Sequence, residues 1–150
     1  MGPEKALATV SCAAFDTSPF IYLLEAGENR GEGATRLFGA LRHATKVTSI
    51  VTAIEALTLC QTPEQKPLAD TYRLYLSSAK GIRVLNVDWP VAEKAASLRA
   101  KYSLRTPDAI QIAAALSVGA EVFITNDRRL AVVSEIDVVI FDDWIKQRPD

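Results

Sequence analysis

The sequence predicts an α/β fold, a three-layer sandwich whose mainly parallel central sheet is covered by helices on both faces. Two observations carry this expectation. Short apolar runs alternate with helical patterns along the whole chain, and the clearest run, Val122-Phe-Ile124, is apolar at every position. Strands buried on both faces read this way, whereas half-exposed strands alternate.

Taken in order, residues 1–8 read as a frayed lead-in. Val10 to Phe15 is a buried strand ending at Asp16. Thr17, Ser18 and Pro19 start a helix through Ile21, Leu23 and Leu24. Gly27 to Gly33 reads as a loop; its glycines neither match GxGxxG nor directly follow a strand, so it is not expected to cradle a phosphate. Ala34 to Ala44 is a helix with Leu37, Phe38 and Leu41 on one face. Lys46 to Ser49 is a short strand, and Ile50 to Cys60 a helix carrying Glu55. Pro63 opens another helix, whose stripe of Leu68, Tyr72, Tyr75 and Leu76 suits a core or dimer contact better than a base-stacking platform.

Gly81 resets the chain before a strand from Ile82 to Val87, and Asp88 caps a helix with Val91, Ala95 and Leu98 facing inward. The stretch around which the rest is organised follows. Thr106 is a good N-cap, Pro107 suits the first helical position, and Asp108 falls in the first turn. Ile112 and Leu116 recur at helical spacing among Ala109, Ala113, Ala114 and Ala115, giving a slim helix that can lie close to a sheet. Gly119 stops it. The strand Val122 to Ile124 then delivers Thr125, Asn126 and Asp127 to its C-terminal end, the edge at which open α/β sheets bind ligands. A short helix from Asp127 to Val133, a strand near Val138–Phe141 and a polar tail complete the chain. No repeat or linker divides it, so one domain spanning 1–150 is expected.

Composition narrows the function. Hydrophobic residues make up 49% and charged residues 23%, with a net charge of -1. No global basic field attracts nucleic acid, so an anionic substrate has to be held by local charge or by metal. Cys12 and Cys60 form no CxxC or Cys/His pattern, which disfavours a disulfide framework and a zinc site and favours an intracellular, cytoplasmic protein. His43, the only histidine, reads as a helix-end residue rather than a general base. No apolar run approaches the ~18 residues of a membrane span. The first ten residues lack the apolar core of a signal peptide, and Ala6 stands where a myristoylation site has Ser or Thr.

Four acids occupy related places. Asp16 and Asp127 end strands, Asp108 opens a helix, and Glu55 lies in the helix after the second strand. In a parallel sheet Asp16 and Asp127 emerge at the same edge, where helix N-termini also gather. Two charges ~4 Å apart repel by about 4 kcal/mol at an effective dielectric near 20, so a chain that clusters carboxylates usually has a cation to offset this. Oxygen-only ligands point to Mg²⁺ or Mn²⁺, and carboxylates around such ions are the usual equipment for phosphodiester hydrolysis. Each acid also has a structural reading: Asp16 and Asp127 can cap the helices after them, Asp108 suits a helix dipole, and Glu55 can be solvated. The functional reading rests on the four together.

The segments Asp16 to Glu25, Thr48 to Leu57, Thr106 to Ala115 and Ile124 to Asp127 resemble, in order, the signature segments of PIN-domain ribonucleases, and among these the VapC-type toxins of toxin–antitoxin pairs. The resemblance spans about Val10 to Trp144, and Asp142 to Asp150 carry no motif. It implies that Asp16, Glu55, Asp108 and Asp127 hold Mg²⁺ or Mn²⁺, with Thr17, Thr125 and Asn126 as polar support. It further implies cleavage of single-stranded RNA, a homodimer, and a small antitoxin that covers the active site. Arg128 and Arg129, directly after Asp127, are the candidate phosphate contacts, with Arg30 and Arg105 as further cations. An aspartyl phosphatase is disfavoured because Ser18 stands where its second acid belongs. The alternatives are a PIN-like RNA-binding or scaffold module without turnover, and a PIN nuclease of RNA processing with no antitoxin.

Overall fold

The computed structural model describes residues 2–25 and 27–149, so Met1 of the expected lead-in and Asp150 of the tail lie outside the described residues. In chain order the elements are α1 (Pro3–Leu7), β1 (Cys12–Phe15), α2 (Thr17–Glu25), α3 (Glu28–Ala40), β2 (Thr45–Ser49), α4 (Ile50–Thr58), α5 (Lys66–Ser78) and β3 (Ile82–Leu85). They continue with α6 (Trp89–Tyr102), α7 (Thr106–Ser117), β4 (Val122–Thr125), β5 (Asp137–Ile140) and α8 (Phe141–Ile145). Short 3-10 turns lie at Pro63–Gln65 and Arg128–Val132.

Among the described residues five strands form one sheet in the order β3-β2-β1-β4-β5, and every neighbouring pair is parallel. The chain steps outward from β1 to β3 and then returns to the other side of β1 for β4 and β5. The order therefore reverses between β1 and β4, which opens a crevice at their C-terminal ends.

Both faces of this sheet are covered, as the continuous apolar runs predict. Side chains alternate across a strand, so Ala13, Phe15, Val122 and Ile124 pack with Phe20, Leu37 and Phe38 on one side. Ala14 and Phe123 pack with Leu98, Ile112 and Leu130 on the other. Each buried phenylalanine contributes about 1.5–3 kcal/mol. Phe15 stacks on Phe38 with ring centroids 4.7 Å apart and tilts against Phe20 at 5.5 Å. Ala109, Ala113, Ala114 and Ala115 of α7 are all buried, and the slim helix is enclosed on nearly every side. The stripe on α5 is core: Tyr72 and Leu76 are buried, and Tyr72 joins Ala56 and Cys60 of the α4 segment.

Several local expectations are corrected. The lead-in is not frayed: Pro3–Leu7 is helical, Leu7 and Val10 sit in the core, and the Trp144 indole donates to the Pro3 carbonyl at 3.4 Å. Gly27 to Gly33 is not a loop, because α3 begins at Glu28. Gly33 is needed for close packing, since a Cβ there would sit 2.6 Å from Ile145 Cγ2. That helix ends at Ala40 rather than Ala44. The third strand stops at Leu85, and the fifth stops at Ile140, where Phe141 starts α8. The first part of the polar tail is thus a helix, anchored by buried Phe141 and Trp144.

One cap also differs. Thr106 is the first residue of α7 rather than its cap; Arg105 holds the cap position without a side-chain capping bond, and Pro107 is accommodated in the first turn. The short helix after Asp127 is of the 3-10 type and spans Arg128–Val132, and Asp127 caps it by accepting from Arg129 N at 3.0 Å. Asp88 caps α6 as expected, accepting from Val91 N at 3.0 Å. Among the described residues no helix is long and apolar enough to cross a membrane.

Candidate active site

Parallel pairing of β1 with β4 sets Phe15 beside Ile124, and Asp16 N donates to Ile124 O at 2.9 Å. Asp16 thus leaves the sheet next to Thr125, with Asp127 two residues further along. β2 runs straight into α4, which carries Glu55, and α7 presents Asp108 in its first turn. All four acids line a single open cleft of about 870 Å³, together with Thr17, Asn126, Arg105 and Arg128.

Fixed donors hold the acids. Both Asp16 oxygens are bonded: Oδ1 accepts from Thr17 N at 2.8 Å and Oδ2 from the Thr125 hydroxyl at 2.7 Å. The Thr17 hydroxyl donates to Glu55 Oε1 at 2.8 Å. Arg105 Nε donates to Asp108 Oδ2 at 3.1 Å. Arg129 grips Asp127 through Nε at 2.9 Å and a terminal nitrogen at 2.6 Å. Both arginines are largely exposed, so each pair contributes at most about 1 kcal/mol to stability.

The electrostatics of the acids at the two strand ends diverge. Burial pushes the Asp16 carboxyl above its ordinary value; the bonds from Thr125 and Thr17 N oppose this, and the charges of Glu55 and Asp108 push it further up. Asp127 is held below its ordinary value, chiefly by the bonds from Arg129.

The donor chemistry fits a hard divalent ion. Among the described residues the cleft offers carboxylate and hydroxyl oxygens and no sulfur or imidazole, the set that suits Mg²⁺ or Mn²⁺. Asp16 is both desolvated and repelled by two neighbouring acids, and a cation beside it would offset both effects. Among the described residues, however, no three Asp, Glu, His or Cys side chains are gathered as a ready ligand set. Arginines hold two of the acids, and Glu55 is exposed, so closing a ligand set requires these side chains to turn.

Asp16, Glu55, Asp108 and Asp127 therefore share the cleft as expected, and Thr17 bonds Glu55 while Thr125 bonds Asp16. Asn126 lines the cleft, but its side chain serves the rim: it donates to the Tyr22 hydroxyl at 3.1 Å and accepts from Asp142 N at 3.1 Å. Arg128 lines the cleft while paired bidentately with Asp143, at 2.6 and 2.7 Å. Arg129 reaches it through Asp127. Arg30 lies in α3, bound to Asp142 and 4.8 Å over the Tyr22 ring. His43, Cys12 and Cys60 are not among the lining residues, and both cysteines are free thiols.

Sequence reasoning missed a layer of buried polar residues beneath the acids: Thr48, Ser49, Thr52 and Gln111. A signal was present. Gln111 is the one non-apolar side chain between Ala109 and Leu116, and it follows Asp108 by three residues. Thr52 precedes Glu55 by the same interval. At helical spacing each lies one turn below an acid.

The profile of the PIN domain family matches residues 13–136. No curated protein matches the chain in sequence. Among solved structures, a toxin–antitoxin complex from Klebsiella pneumoniae is 25% identical, with a TM-score of 0.70, over 86% of this chain and 97% of that one. The DNA-bound VapBC of Salmonella typhimurium is 17% identical, with a TM-score of 0.71, over 87% and 98%. VapC20 of Mycobacterium tuberculosis, a sarcin–ricin-loop-cleaving toxin, is 22% identical, with a TM-score of 0.65, over 84% and 98%.

Proposed function

The chain belongs to the PIN domain family, and on that premise we propose that it is a divalent-metal-dependent endoribonuclease that cleaves single-stranded RNA in the cytoplasm as the toxin of a toxin–antitoxin pair. One observation carries the reading. Four acids from separate segments, Asp16, Glu55, Asp108 and Asp127, line one cleft at the point where the strand order reverses. The likeness to a toxin–antitoxin complex at 25% identity supports the toxin role.

These four side chains would hold Mg²⁺ or Mn²⁺. The ion would supply a water of lowered pKa and offset charge on the phosphoryl group as the bond breaks. The protein's own contribution is placement. Asp16 is oriented by Thr17 N and Thr125, and Glu55 by the Thr17 hydroxyl. Arg128 and Arg129 exchange carboxylate partners for RNA phosphates, fixing the strand across the cleft. An acidic cleft of this kind also accepts a guanidinium, so a small antitoxin can block it by inserting an arginine. A homodimer is part of the same reading.

The test is cleavage of single-stranded RNA with Mn²⁺, with and without EDTA, by the wild type and by Asp16→Asn, Asp108→Asn and Asp127→Asn. Cleavage is expected from the wild type alone. A folded mutant with near-wild-type cleavage removes its residue from the site. A wild type that neither cleaves nor arrests growth leaves the scaffold alternative standing.

A further inference from the structure

Beneath the cleft, one buried hydroxyl joins the segments that carry three of the acids. Thr52 is fully buried on α4, and Gln111, 3% exposed, faces it from α7. Gln111 Nε2 lies 2.8 Å from Thr52 Oγ1. The orientation of this amide is fixed by Ser49. The Ser49 backbone N–H can only donate, and it points at Gln111 Oε1 at 3.2 Å, with the Ser49 hydroxyl at 2.8 Å. The amide NH₂ must therefore face Thr52.

Proton counting sets the remaining directions. Each threonine hydroxyl has one proton and two acceptor sites. Thr48 donates its proton to the Phe15 carbonyl at 2.9 Å, immediately before Asp16. The 2.6 Å contact between Thr48 and Thr52 must then carry the Thr52 proton. This leaves Thr52 with one vacant acceptor site, and Thr17 Oγ1 lies 3.2 Å away from it. Thr17 has a single proton and two candidate acceptors, Glu55 Oε1 at 2.8 Å and Thr52. When Glu55 turns away, Thr17 can redirect its hydrogen bond to Thr52, and no buried hydroxyl loses its partner.

We propose that Thr52 and Gln111 form a positioning unit for the acids. Gln111 locks the Asp108-bearing helix to the Glu55-bearing helix, and Thr52 accepts the Thr17 hydrogen bond when Glu55 leaves Thr17 for a bound ion. Neither residue touches substrate or ion. The inference rests on the metal-dependent reading above. Residues that orient metal-binding carboxylates typically change metal affinity or activity by about 10–100-fold when removed.

The test uses Thr52→Val, which keeps the shape and removes the hydroxyl, Gln111→Leu, and the conservative Thr52→Ser. Mn²⁺ affinity is read from the free-ion paramagnetic resonance signal, alongside kcat and KM for single-stranded RNA and a thermal melt. Thr52→Val and Gln111→Leu are expected to lower Mn²⁺ affinity and kcat by about 10-fold or more. KM for RNA should stay unchanged, because the phosphate-binding arginines are elsewhere. Thr52→Ser should restore both. If Thr52→Val does not fold, Gln111→Met removes the same donor from the opposite helix and carries the test. Folded variants with wild-type Mn²⁺ affinity and kcat overturn this inference alone. A wild type that neither binds Mn²⁺ nor cleaves RNA overturns the nuclease reading, and this inference with it.

Discussion

Thr125 lies against Asp16 at the exit of neighbouring strands, its hydroxyl donating to Asp16 Oδ2 at 2.7 Å and accepting from Asp127 N at 3.0 Å. One fully buried side chain thereby ties together the acids that leave β1 and β4. Thr125→Val keeps the volume but leaves both partners short of a bond, at a cost of about 1–3 kcal/mol. It also removes a donor that opposes the upward push on the Asp16 carboxyl. The acidic limb of the pH–rate profile should therefore move to higher pH. An unmoved limb would mean that this bond does not govern Asp16.

Asp16 itself carries a testable sign. Its carboxyl is raised above the ordinary value of 3.8, mainly by burial, with Glu55 and Asp108 adding to the effect. A carboxyl whose pKa is higher in the folded chain holds its proton more tightly there. Folding stability therefore falls as pH rises from the unfolded to the folded pKa, and the loss persists at neutral pH. Asp16→Asn removes that loss. Measured in EDTA, Tm of the variant relative to wild type should increase between about pH 4 and pH 7. Each ~1 kcal/mol relieved corresponds to about 2–4 °C in a domain of this size. A difference that stays flat with pH would count against the raised Asp16 carboxyl.

Arg129 competes with any cation for Asp127, which it grips through two nitrogens. Arg129→Ala should strengthen Mn²⁺ binding by about 2- to 5-fold, the range set by an exposed pair of up to ~1 kcal/mol. The double variant Arg128→Ala with Arg129→Ala should instead weaken RNA binding. Its salt dependence should flatten by about 0.7 in log–log slope for each phosphate that is no longer neutralised. Both are measured by titration, the second in an Asp16→Asn background to prevent cleavage. An unchanged slope would make the arginines bystanders.

Gly33→Ala tests the packing of α3 on α8. The added Cβ would meet Ile145 Cγ2 at 2.6 Å, and a β-branched side chain has little freedom to move aside. Overpacking of this kind costs about 1–3 kcal/mol, against which the helix gains about 1 kcal/mol from replacing glycine. A net drop in Tm is expected, and Ile145→Ala in the same chain should recover part of it. No drop would show that α8 shifts freely.

Glu55 is the most exposed of the four acids, and among the described residues its side chain is tied only through Thr17. If it serves the cleft, Glu55→Gln should abolish both RNA cleavage and growth arrest on expression in a bacterial host. Full arrest by Glu55→Gln would remove it from the site. Full arrest by Asp108→Asn as well would sink the nuclease-toxin reading.

Much was legible in the sequence because it is local or periodic. Continuous apolar runs such as Val122 to Ile124 mark strands buried on both faces, and the alanines of α7 mark a helix that lies close to a sheet. The acids at strand ends and in helix first turns followed from the same patterns. What the sequence left open depends on partners far along the chain. The glycines from Gly27 to Gly33 read locally as a loop; Gly31 and Gly33 instead lie buried in α3, and Gly33 leaves the room that Ile145 of α8 fills. The bond between Thr52 and Gln111 spans 59 positions and exists only because the strand order folds α7 back against α4. The parking of Arg128 on Asp143 and of Arg30 on Asp142 likewise requires α8 to reach the cleft rim. Periodicity fixes which face of each element is buried, and only the order of the strands decides which buried faces meet.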